Sequence, residues 1–193
     1  MPKKYDIITE LYKRTLGEIT KDAARWQRFL DCAAFHYKYS FGDKALIYAQ
    51  RPNATACAEF EIWSEKLGRW VNKGANGIAL IDDDHYTRLR YVFDFADTHD
   101  RSGTPFVLWS ASPEYEGEIL LALENRYGDI SHDKNDVKNS VMAACINATE
   151  DNIGDYFNDL LNSTDGSRLK EIADDKLRSY FFVLASASVT YTV

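Results

Sequence analysis

Between Tyr37 and Lys73 the sequence interleaves flat aromatic rings with cations. The first run is Tyr37-Lys38-Tyr39-Ser40-Phe41, followed by Lys44, Tyr48, Gln50 and Arg51. The second is Trp63, Lys66, Arg69, Trp70 and Lys73. Residues 66–81 hold three basic side chains and no acidic one. This mixture suits single-stranded nucleic acid. Lysine and arginine neutralise phosphates, and exposed rings stack on unpaired bases, at ~1–3 kcal/mol per base. The same residues admit a second reading, in which Tyr37, Tyr48, Trp63 and Trp70 are core residues and the cations form a solvated face.

Catalytic chemistry finds little to work with. The four histidines, His36, His85, His99 and His132, belong to no HExxH and to no HxE with a later CxxC. The acidic runs Asp82-Asp83-Asp84 and Asp94, Asp97, Asp100 lack the glycine and glutamate spacing of a calcium loop. There is no GxSxG, and Gly74-Ala75-Asn76-Gly77 is too short for a phosphate-binding loop. The three cysteines, Cys32, Cys57 and Cys145, are far apart and form no CxxC, which reads as small buried thiols in a reducing cytosol. No catalytic residue, cofactor or metal is expected. A hydrolase would need His99 or His132 to converge with Asp94, Asp97 or Asp100.

The 193-residue chain carries a formal charge of −7, but the two halves differ. Residues 1–110 hold 16 Lys and Arg against 15 Asp and Glu, whereas residues 111–193 hold 7 against 15. A basic face is therefore compatible with the first half. The hydrophobic share of 45% supports a real core. The first residues show no apolar signal segment, and no apolar run approaches the ~20 residues that span a bilayer, so a cytoplasmic location away from membranes is expected. The apolar ending YFFVLASASVTYTV carries no stop signal and reads as a cut from a longer polypeptide.

The elements that must carry these residues follow from periodicity. Residues 3–17 space apolar positions at helical intervals and meet Gly17 as a stop. Thr20 reads as the cap of a second helix over 21–37, with Trp26, Phe29, Leu30, Ala33, Ala34 and Tyr37 on one face. Ser40 to Asp43 reads as a break with a new cap, before a short helix over 44–50 that Arg51-Pro52-Asn53 ends. Residues 54–58 read as extended and 59–67 as a helical turn or two. A hairpin of strands 69–71 and 78–81 around the glycine-rich turn 72–77 is expected next, then a strand over 89–95 and a loop over 98–104. Helices near 114–126, 134–147, 150–162 and 167–187 complete the chain. The expected fold is α+β: N-terminal helices on a small antiparallel sheet over residues 1–110, then an acidic, mostly helical region over 111–193.

One stretch resembles a known family. Trp26-Gln27-Arg28-Phe29-Leu30, and the string from Tyr37 to Asp82 with its L-I-x-x-Q and W…G-R-x-V-x-K-G-x-x-G-I patterns, resemble the N-terminal domain of ArdC-type antirestriction proteins. They are also similar to the leading segment of large conjugative-element proteins in which helicase-like and DNA-methylase-like regions follow. The resemblance covers about residues 22–100. It implies a non-enzymatic α+β domain that binds single-stranded DNA without strong sequence preference, within a larger mobile-element protein. ArdC proteins continue into a zinc-peptidase-like domain; this chain has no HExxH, so that activity is not implied. The chain also reads Phe41-Gly42-Asp43 where many relatives carry an asparagine-containing turn. Carried onto this sequence, the resemblance makes Lys38, Lys44, Arg51, Arg69 and Lys73 the phosphate-binding candidates and Tyr39, Phe41 and Tyr48 the stacking candidates. Trp63 and Trp70 are placed nearer the core. The alternative is a protein-interaction module, in which the acidic helices, through Glu114, Glu116 and Glu118, dock a restriction enzyme or other domains of the parent protein.

Overall fold

The computed structural model describes residues 3–82, 85, 87–100, 112–130, 137–164 and 175–193. The chain forms two compact units, Met1–Leu108 and Trp109–Val193. The first is α+β and the second, as described, helical.

The first unit opens with α1 (Lys4–Ile19), α2 (Ala23–Phe35) and α3 (Phe41–Gln50). Ile8, Thr15 and Ile19 form the buried stripe of α1, at the spacing an amphipathic helix needs. Gly17 does not stop this helix. A mid-helix glycine costs about 1 kcal/mol, and burying Ile19, only 2% exposed, outweighs that loss. Thr20 does not cap α2 either. It ends α1, its hydroxyl donating to the Leu16 carbonyl, while the Asp22 carboxylate accepts from the Arg25 N–H at 2.9 Å and starts α2. Ser40 caps α3 in the same way, accepting from the Asp43 N–H at 3.1 Å, so α3 begins three residues before the expected start.

α3 lies between α1 and α2 on one side and a sheet on the other. Ala45, Leu46 and Ile47 are all buried, as a helix covered on several faces requires. Leu46 and Ile47 join Ile8, Ile78, Leu80 and Val92 in one apolar cluster; Ala45 joins Phe29, Leu30 and Ala33 in a second.

Five strands follow: β1 (Cys57–Ala58), β2 (Arg69–Val71), β3 (Ile78–Ile81), β4 (Leu89–Asp94) and β5 (Thr98–Asp100). They form a three-stranded antiparallel sheet ordered β1-β4-β3 and a separate antiparallel ribbon of β2 and β5. The expected hairpin between 69–71 and 78–81 does not form. β3 pairs with β4, and β2 pairs with residues 98–100, where the sequence pattern points to loop. A short 3-10 turn, Phe95–Asp97, carries the chain from β4 to β5 and so from sheet to ribbon. Residues 62–66 form a π-helical turn, the Leu67 N–H reaching back five residues to the Ile62 carbonyl at 3.1 Å.

The second unit holds α4 (Glu116–Tyr127), α5 (Val137–Ser163) and α6 (Asp175–Thr192). Where two helices were expected, α5 runs unbroken. Its polar residues are absorbed rather than disruptive: the Thr149 hydroxyl donates to the Cys145 carbonyl, and the Asn147 amide donates to the Tyr127 carbonyl at the end of α4 and to the Asp129 carbonyl just past it. α5 packs on α4 and α6, with Phe157 and Phe181 5.9 Å apart between ring centres. The expected start of the last helix, at 167, lies outside the described residues.

Candidate nucleic-acid interface

The turn between α2 and α3 is fixed from beneath. His36 is 2% exposed and its Nδ1–H donates to the Cys32 carbonyl at 2.7 Å. The Tyr39 N–H donates to the His36 carbonyl at 2.9 Å, and the Tyr39 hydroxyl reaches the Cys57 carbonyl at 2.8 Å. With these two side chains turned inward, the residues between and beside them face water: Phe35 is 57% exposed, Tyr37 73% and Phe41 49%. Lys38 is exposed among them, its ammonium 5.5 Å from the centre of the Tyr37 ring. Phe41 sets its edge against Phe29 at 5.5 Å, which holds the ring while leaving half of it open. The corner thus presents three rings and a cation within seven residues.

Of the residues singled out in the sequence, Lys38, Phe41 and Lys73 are exposed and Lys44 is half-buried. The others are engaged inside the domain. Tyr39 is the inward anchor just described, and burial, ahead of the neighbouring Cys57, pushes its hydroxyl pKa up. Tyr48 packs edge-on against Phe29 at 5.8 Å. Arg51 is ion-paired with Asp97. Arg69, 8% exposed, is not a surface cation: its Nε donates to the Thr98 hydroxyl at 2.7 Å, its Nη2 to the Thr98 carbonyl at 3.2 Å, and its guanidinium lies 4.3 Å from the Phe95 ring centre. Trp63 is in the core as expected, its indole N–H donating to the Phe93 carbonyl at 2.9 Å. Trp70 is not; it is 42% exposed.

Phe35 and Tyr37 stand on the surface although neither is among the stacking candidates Tyr39, Phe41 and Tyr48. The helical face through Trp26, Phe29, Leu30 and Ala33 leaves Phe35 on the far side, so periodicity alone identifies it. Tyr37 is different. Its outward turn depends on α2 ending at Phe35, which only the inward His36 reveals.

The side chains a hydrolase would have used are occupied separately. The buried Asp94 carboxylate accepts from the N–H groups of Thr55, Ala56 and Ala96. Asp97 holds Arg51, and the His99 Nδ1 faces the Asn72 side-chain oxygen at 2.6 Å. His132, Asp83 and Asp84 lie outside the described residues. Burial, with the Asp94 charge as the lesser cause, pushes the Cys32 thiol up to about 11 and the Cys57 thiol up to about 12, so neither presents a thiolate at neutral pH. Among the described residues no three His, Cys, Asp or Glu side chains gather as a metal site would require, and no helix is long and apolar enough to cross a membrane.

Comparison with family models, with curated proteins and with solved structures finds no match to this chain.

Proposed function

We propose that residues 22–100 are a non-catalytic module that binds single-stranded DNA with little sequence preference, in a mobile-element protein concerned with antirestriction or conjugative DNA processing. The observation that carries this reading is the α2–α3 corner, where Phe35, Tyr37 and Phe41 stand open beside Lys38. Rings give every base a stacking face, and the lysine adds a sequence-independent phosphate contact. The resemblance to ArdC-type domains supports the same assignment. In a fluorescence-anisotropy titration at ~50 mM salt, a labelled oligomer of ~20 nucleotides binds, and binding weakens steeply as salt rises. Replacing Tyr37 and Phe41 together by alanine weakens it at least tenfold. A folded protein that leaves the oligomer free at low salt overturns the proposal.

A second reading has one observation in its favour. In the acidic second unit, Val141, Met142 and Ile146 of α5 and Phe182, Val183 and Tyr191 of α6 line an open apolar groove of about 870 Å³. An apolar groove in a unit of excess negative charge fits an amphipathic helix flanked by Lys and Arg, such as a segment of a partner protein or of the parent polypeptide. Met142→Lys in the groove and reversal of Glu114, Glu116 and Glu118 elsewhere in the unit then each weaken capture of that partner; unchanged capture by both variants removes this reading.

A further inference from the structure

The β2–β5 ribbon carries the exposed tryptophan that its sequence position conceals. In the antiparallel register Trp70 stands directly opposite His99, with Arg69 opposite Asp100 and Val71 opposite Thr98. Side chains alternate across a strand, and directly opposed residues share a face with Cβ atoms about 5 Å apart. The exposures follow this alternation. Trp70 and His99 are exposed, whereas Arg69 and Thr98 are each 8% exposed and Val71 and Asp100 are half-buried. The ribbon therefore has an inner face, closed by the Arg69 guanidinium over Phe95, and an outer face whose centre is an indole beside an imidazole.

This outer face is held firmly for so short a ribbon. Arg69 bonds both the hydroxyl and the carbonyl of Thr98 beneath it. The ladder is extended by the Asn72 N–H, which donates to the Asp97 carbonyl at 2.8 Å, and the Asn72 side chain fixes the His99 ring. Lys73 follows, exposed, at the start of a turn in which Gly74 has φ +86°. The one carboxylate in the ribbon, that of Asp100, shares the inner face with Arg69. The outer face and its turn thus offer rings and a cation and no acid of the ribbon's own, the combination that complements an unpaired base and its phosphate.

We infer that Trp70 and His99 form a second base-stacking site, Trp70 taking the face of one unpaired base, His99 bordering it and Lys73 neutralising an adjoining phosphate. The site rests on the single-strand reading above and adds a second stacking position to it.

The test is anisotropy titration of the full chain with two labelled oligomers of equal length. One carries bases throughout; the other keeps the sugar-phosphate backbone but is abasic. Trp70→Leu keeps apolar bulk without the flat ring and weakens binding to the base-bearing oligomer about tenfold or more, while Trp70→Phe recovers most of the affinity. His99→Ala gives a smaller loss. On the abasic oligomer Trp70→Leu and wild type bind alike. Equal affinity of Trp70→Leu and wild type for the base-bearing oligomer overturns this site while leaving the single-strand reading intact. An equal loss on both oligomers also overturns it, because the ring is then serving the ribbon rather than a base. Failure of the wild type to bind either oligomer overturns both proposals. Circular dichroism and thermal melting of each variant confirm that the fold is present.

Discussion

The side-chain amide of Gln50 closes both backbone groups of Ala79: its Nε2 donates to the Ala79 carbonyl and its Oε1 accepts from the Ala79 N–H, each at 2.9 Å. β3 pairs with β4 on one side, and at Ala79 this amide supplies on the other what a neighbouring strand would. The same Nε2 also donates to the Leu46 carbonyl, so α3 and the sheet meet through one residue. The glutamine of the L-I-x-x-Q pattern thereby ties helix to sheet.

Gln50→Ala leaves the N–H and C=O of Ala79, itself 3% exposed, without that partner. The expected loss is about 2–4 kcal/mol in urea denaturation, because each orphaned buried group forfeits its solvation. Gln50→Glu restores only part, since its second oxygen faces a carbonyl. A loss below about 0.5 kcal/mol, the range of ordinary surface changes, contradicts the assignment.

Arg69 and Lys38 are both basic residues of the candidate stretch, yet they answer different experiments. Arg69→Ala removes two hydrogen bonds and a ring contact from the buried side of the ribbon and costs about 2–3 kcal/mol of stability. Arg69→Lys fails to rescue it, since an ammonium lacks the guanidinium's fork. Lys38→Ala leaves the denaturation midpoint nearly unchanged, weakens oligomer binding and lowers the salt slope by about one. Denaturation and anisotropy on the same two variants separate the roles.

His36 makes stability depend on pH. Its Nδ1–H is tied to the Cys32 carbonyl, and its Nε2 is buried with no hydrogen-bond partner among the described residues. Burial holds its pKa below the ordinary 6.5, against the opposing pull of the Cys32 hydrogen bond. As pH falls, the unfolded chain therefore takes the proton first. The stability that neutral His36 contributes is complete above 6.5 and is lost below it, by up to ~1.4 kcal/mol per pH unit. Denaturation midpoints between pH 7.5 and 5, on the order of one measurement per half unit, give a steeper acid decline for wild type than for His36→Phe. Parallel curves contradict this.

The helices were legible because their signal is local. The apolar spacing of α1 and of α2 lies within one turn of the residues it governs. What moved were boundaries: α1 runs past Gly17 to Ile19, α2 spans Ala23–Phe35 from the Asp22 cap, α3 starts from Ser40, and the two helices expected over 134–162 join as α5. The strands were legible as segments but not as pairs. Nothing near residues 69–71 announces that they pair with 98–100 instead of 78–81, because that choice is made by β4, which takes β3 first and then delivers β5 through the Phe95–Asp97 turn. The site was half legible for the same reason. The stretch rich in rings and cations was visible, but which of its members face water was not. Arg69 goes under and Trp70 comes out, the reverse of what hydrophobicity suggests, because Thr98 and Phe95 offer the guanidinium hydrogen bonds and a ring face from 26 or more residues away.

The π-helical turn at Ile62–Lys66 holds one residue more than an α-turn of the same reach. It contains Trp63, anchored to the Phe93 carbonyl, and leads through Leu67 and Gly68 to Arg69, anchored to Thr98. These two anchors set how far the chain must travel, and the wide turn takes up the surplus residue. Length is thereby decoupled from register: this short arc is where the chain tolerates losing a residue without sliding the ribbon along its partner.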